Sequence, residues 1–127
     1  MSLQFKRHYT VEEARILLPA IRTWLAQLAQ VRAELARAES ELGSQMASGH
    51  DRGGALVEQH VRGQAELATV LDEFARREIQ LRDPDRGLLD FPAMRDGWEV
   101  FLCWQADEAE IGFWHELDTG FAGREPL

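Results

Sequence analysis

The residues of this chain whose types could do chemistry gather in its last third. Asp90, Cys103, His115, Glu116, Asp118 and Arg124 follow one another there, among Phe91, Trp98, Trp104 and Trp114. Thiolate, imidazole and carboxylate are the usual donors to zinc and iron, so Asp90, Cys103 and His115 make one candidate metal-ligating set. Ligand pockets combine aromatic walls with a few convergent polar groups, and a guanidinium fork suits a carboxylate or phosphate. On that ground Asp90, Trp114, His115, Asp118 and Arg124 make a candidate site for a small anionic ligand. Cys103 with His115 is the one nucleophile and base pair on offer. A cysteine between Leu102 and Trp104 reads as a buried strand residue, however, and no residue is assigned a catalytic role.

None of the diagnostic spacings is present. The sequence holds no Cys-x-x-Cys, no His-Glu-x-x-His and no glycine-rich phosphate loop. His115-Glu116-Leu117-Asp118-Thr119 departs from the metalloprotease motif at its last position, where Thr119 stands for the second histidine. Each candidate also has a structural role open to it. Cys103 can be a small core residue and His115 a hydrogen-bonded one. Arg124 can pair with Asp90 or Asp118 and pin a tail in which Gly120 and Gly123 allow close approach. The expectation is one hydrogen-bonded network of Asp90, His115, Asp118 and Arg124 at the end of a sheet. Whether Asp90, Cys103 and His115 share a face depends on two strand registers, because a slip of one residue turns a side chain to the opposite face.

The elements that must position these residues read as two helices and a small sheet. Thr10 and Glu13 form a capping box, and Leu17, Ile21, Trp24, Leu28, Val31, Leu35, Ala38 and Leu42 recur at spacings of four and three. Together they predict a helix over 10–42 with one packing seam. Pro19 falls inside it and removes a backbone donor, so a disturbance near Arg15 is expected. The Gly/Ser-rich stretch 43–54 is read as a loop. A second stripe, Leu56, His60, Gly63, Leu67, Val70 and Phe74, broadened by Val57, Val61, Ala68, Leu71 and Ala75, predicts a helix over 55–78 folding back on the first. His60, on that stripe, reads as a core or interface histidine.

Residues 79–116 then read as strands: Ile79–Arg82 as a short strand or last helical turn, Leu88–Phe91 ended by Pro92, a hairpin signal at Arg95-Asp96-Gly97, Trp98–Gln105, and Ile111–Glu116. Residues 117–127 read as an irregular tail. The fold class is therefore α+β, a long antiparallel helical hairpin followed by a three- or four-stranded antiparallel meander, in one domain over 1–127.

Composition narrows the partners. In 127 residues, 45% are hydrophobic and 28% charged, which suits a folded domain with a core. A net charge of -8 disfavours a protein that neutralises phosphates, so no nucleic-acid partner is expected. No apolar run approaches the roughly 20 residues of a membrane span, and no membrane partner is expected. A single cysteine and an N-terminus without an apolar signal region fit a cytoplasmic protein. The helical seam points to a homodimer that completes a four-helix bundle.

Certain motifs resemble a known family. They are Tyr9-Thr10-x-Glu12-Glu13-Ala14-Arg15-x-Leu17-Leu18-Pro19, Gly87-Leu88-x-Asp90-Phe91-Pro92-Ala93, Leu102-Cys103-Trp104, Ile111-Gly112-x-Trp114-His115 and Gly120-Phe121-Ala122-Gly123-Arg124. They are similar to a bacterial family of small proteins known as domain of unknown function 2203. The resemblance spans nearly the whole chain, implies no reaction and no cofactor, and makes the C-terminal third the distinctive part. The expectation is a non-enzymatic homo-oligomeric interaction module. The alternative is a metal- or small anionic ligand-binding protein, with an enzyme left open, using the C-terminal cluster.

Overall fold

The structure, a computed structural model, describes residues 2–47 and 53–127. The first helix, α1, runs Val11–Ala47. Its start is the expected capping box: the Thr10 hydroxyl accepts the Glu13 amide at 3.1 Å and Glu13 accepts the Thr10 amide at 3.0 Å. The helix passes through Pro19 and continues beyond the expected stop at 42. A glycine in a helix costs only about 1 kcal/mol, too little for Gly43 to end a ladder already in register. Of the expected loop, residues 43–47 are therefore helical and 48–52 lie outside the described residues.

The second helix, α2, runs Gly53–Ala75 and ends before the expected 78. The Ile79 amide reaches the Phe74 carbonyl and the Glu78 amide the Ala75 carbonyl, closing the helix with Glu78 in the left-handed region at φ 59. The hairpin is tight where Gly63 faces Leu35: a Cβ on Gly63 would stand 2.8 Å from a Leu35 methyl. Ile21, Leu28, Val31, Leu35 and Ala38 are buried on the α1 seam, and Trp24 meets Phe74 edge-on at 5.4 Å. His60 lies in the hairpin interface half-buried, with Nε2 3.0 Å from Glu39 Oε1.

An antiparallel sheet follows in the order β1-β2-β3-β4-β5, one strand more than the largest expected number. The strands are β1 Gln80–Asp83, β2 Leu88–Arg95, β3 Trp98–Trp104, β4 Phe113–Glu116 and β5 Glu125–Pro126. Asp96 and Gly97, both with positive φ, make the two-residue turn between β2 and β3. Pro92 does not end β2. Its carbonyl accepts the Tyr9 amide at 2.7 Å, so its nitrogen also points to the side away from β3, where β1 has already stopped opposite Asp90 and no ladder bond is lost. The tail is more ordered than expected: Phe121–Gly123 form a 3-10 turn and β5 pairs with β4, Trp114 opposite Glu125.

One face of the sheet completes the core. Leu89, Phe91, Ala93, Val100, Leu102 and Trp104 pack there with Ala14, Leu18, Ile21, Leu28, Val70 and Phe74 of the helices. Among the described residues, no helix is long and apolar enough to cross a membrane.

Candidate metal centre

Because side chains alternate along a strand, the residues between those core positions point to the other face of the sheet. The registers decide which of them meet. Asp90 on β2 lies directly opposite Cys103 on β3, and His115 on β4 lies opposite Phe101, two residues along β3 from Cys103. Asp90, Cys103 and His115 therefore share the face turned away from the helices. Each offers one donor atom, and these atoms all lie within 4.8 Å of one another. All three residues are buried, none more than 3% exposed.

The hydrogen bonds orient the donors. His115 Nδ1 lies 2.6 Å from the Glu116 carbonyl oxygen, and Nε2 lies 2.8 Å from Asp90 Oδ1. A carbonyl only accepts, so Nδ1 carries a proton and Nε2 is the atom turned to the cluster. Nε2 and Asp90 Oδ1 thus face each other at hydrogen-bond distance beside Cys103. The other Asp90 oxygen accepts from Arg82 Nε at 3.0 Å, and the Arg82 guanidinium lies 5.2 Å from the Phe101 ring centre. Burial, reinforced by the neighbouring Asp90 carboxylate, pushes the Cys103 thiol up to about 12. It is a poor nucleophile in this setting, in line with its expected burial within a strand.

The cluster borders a cavity of about 390 Å³ whose lining also includes Arg82, Leu88, Leu117, Asp118, Gly120 and Phe121. The expected four-residue network does not form as such. Asp90 and His115 bond to each other, and Asp118 lines the cavity beside them. Of the candidate ligand-site residues, Trp114 lies opposite Leu102 on the core side, with the Arg95 guanidinium over its ring at 4.6 Å. Arg124 pairs with Glu108 instead of Asp90 or Asp118, and its guanidinium stacks on Phe113 at 3.8 Å and Phe121 at 4.6 Å. Its role is to hold the tail against the turn before β4. Glu108 and Arg82 were missed from the sequence. Their partners are set by strand register and loop path, and Ile79–Arg82 carries no period long enough to fix a face.

A family model described as Uncharacterized conserved protein (DUF2203) matches residues 7–127. The chain belongs to the DUF2203 family. The match takes in both helices, every strand and the whole Asp90, Cys103 and His115 cluster of this DUF2203 protein. No curated protein and no solved structure matches the chain.

Proposed function

We propose that the protein binds a divalent transition metal, zinc before others, through Asp90, Cys103 and His115. The observation that carries this reading is the set of three buried N, O and S donors whose atoms lie within 4.8 Å of one another. A metal-bound histidine almost always gives its second ring N–H to a carbonyl or carboxylate, and His115 has that bond to Glu116. One thiolate and one carboxylate neutralise a divalent charge, and thiolate with imidazole favours zinc over magnesium or calcium. Three protein ligands leave a fourth position, which in sites of this kind takes water or a small anion and can polarise it. The cavity beside the cluster has room for such a group. Arg82, on the second oxygen of Asp90, would orient that carboxylate from outside the ligand set. A cytoplasmic setting, where thiols stay reduced, suits the unpaired Cys103.

Titration with cobalt(II) tests this reading. A thiolate-to-cobalt charge-transfer band saturating at one equivalent is expected for the wild type, and its loss in Cys103→Ser and His115→Ala. Equal metal uptake by wild type and Cys103→Ser would sink it.

A second reading, a homo-oligomer built through the helices, now rests on fewer residues. The α1 seam is buried within the chain, but Val57, Val61 and Leu71 on α2 remain exposed, at helical spacing. Light scattering at twice the chain mass, returned to one chain mass by Val61→Glu, supports two copies joined there; a monomer at high concentration rejects it.

A further inference from the structure

A larger hollow, about 840 Å³, lies at the other end of the sheet. It is bounded by residues 2–4, by the β2–β3 turn, and by the segment after β4; Leu117 and Asp118 form a wall shared with the smaller cavity. Its apolar lining includes Leu3, Val100 and the indoles of Trp98 and Trp114. Trp98 is 62% exposed. An indole left so open at a hairpin end contributes little to folding, and single exposed apolar residues are ordinary, but here two indoles and Leu3 line one concavity.

Charge decides what would fit. The lining carries the carboxylates of Asp96, Glu99, Glu116 and Asp118 against the single guanidinium of Arg95. Glu99 is already engaged: it accepts the amides of Gln4 and Phe5 and faces the His8 ring. Asp96, Glu116 and Asp118 are exposed. Arg95 lays its own guanidinium 4.6 Å from the Trp114 ring centre, so this indole face already takes a cation. An aromatic face bordered by carboxylates favours a positively charged guest with apolar substituents over a neutral or anionic one.

We propose that this hollow binds a small organic cation, an ammonium group on a compact apolar body, held against the Trp98 and Trp114 indoles with Asp96, Glu116 and Asp118 around it. Arg95 is then an internal competitor for the Trp114 face. The site does not depend on the metal reading, because none of Asp90, Cys103 and His115 lines it.

The test is an NMR titration of the indole N–H signals with choline and, in parallel, with its uncharged isostere in which carbon replaces nitrogen. Choline should shift the Trp98 and Trp114 signals saturably and the isostere should not. Trp98→Ala should weaken choline binding, and Arg95→Ala should strengthen it about two- to five-fold, the size of an exposed cation–π contact. The amide spectrum of each variant reports whether it is folded; if Trp98→Ala is not, Arg95→Ala and Glu116→Gln carry the comparison. Three results overturn the proposal: equal shifts with the isostere, no choline shift at all, or weaker binding in Arg95→Ala. Saturable shifts with trilysine but none with choline would overturn it in favour of a basic peptide segment.

Discussion

Replacing Arg124 with alanine removes the pin that holds the C-terminal tail. The Arg124 side chain is 8% exposed and that of its partner Glu108 20%. Removing one member of a fully buried pair costs about 3–5 kcal/mol, because the other charge is left without its counterpart. Glu108 would not be wholly stranded: it retains the Gln105 amide at 3.0 Å and reaches some solvent, which lowers that figure. The stacking on Phe113 and Phe121 adds back about 0.5–1 kcal/mol for each ring. A loss of about 3 kcal/mol is the balance, or roughly 10 °C in melting temperature for a chain of this length. The effect should reach the core, since the Glu108 carbonyl also accepts the indole N–H of the fully buried Trp104 at 3.0 Å.

Urea and thermal unfolding of Arg124→Ala, Glu108→Gln and the double variant give the coupling, expected at about 1.5–3 kcal/mol for a charge-assisted bond. Arg124→Lys should recover only part of it, because an ammonium keeps the charge but not the planar stack. A single-variant loss under about 0.5 kcal/mol, the ordinary range for surface substitutions, or strictly additive changes in the cycle would refute the pinning role.

Other outcomes follow from the same contacts. Burial works to raise the Glu99 carboxyl, but the Gln4 and Phe5 amides and the His8 ring outweigh it and hold the group below its usual value of 4.5. A lowered folded value means stabilisation present above pH 4.5 and lost as pH falls through it, so the Gln4 and Phe5 amide signals should move in acid, and Glu99→Gln should abolish that step. Glu78→Gly should relieve about 1 kcal/mol of left-handed backbone strain while releasing the Lys6 and Arg7 amides that the carboxylate accepts at 3.0 Å. Stability should hardly change, yet hydrogen exchange at residues 6 and 7 should accelerate; unaltered exchange would show that Glu78 does not hold the segment. Cys103, with its thiol raised to about 12, should resist alkylation at neutral pH until the chain unfolds, and rapid labelling of the folded protein would contradict that environment.

The helices were legible because a period of 3.5 residues survives over many turns: Ile21, Leu28, Val31, Leu35 and Ala38 of the α1 seam are buried as their spacing implies. The Asp96-Gly97 turn was legible because two consecutive positive φ values demand those residue types. Strand content was less so. Pro92 reads as a strand end unless one knows that β2 is unpaired on that side by residue 92, and Glu125-Pro126 has no apolar pattern that announces β5. Its place depends on tertiary ties, such as the Leu127 amide on the Gly112 carbonyl at 3.0 Å. The convergence of Asp90, Cys103 and His115 lay between these cases. Their types were visible, but their common face required two registers that period-2 alternation leaves undetermined. Arg124 failed for a further reason, since its partner Glu108 lies in a turn whose path no local pattern dictates.

The two faces of the sheet then differ in what they cost. On the helix side, Phe91, Leu102 and Trp104 need only the apolar complement that α1 and α2 supply. On the far side, a carboxylate, an imidazole and a thiol are taken out of water at positions where well-packed apolar residues are often as stable or more stable than buried charged groups. The Asp90–His115 bond, the Arg82 contact and the Glu116 carbonyl offset that cost without requiring Cys103 to be present, because the thiol adds only a weak donor to Asp90. A serine or alanine at 103 would leave the same three contacts in place. Cys103 therefore has two readings at this position: a small buried residue that fills space beside Asp90 and His115, and, on the proposed metal reading, the thiolate donor of the set.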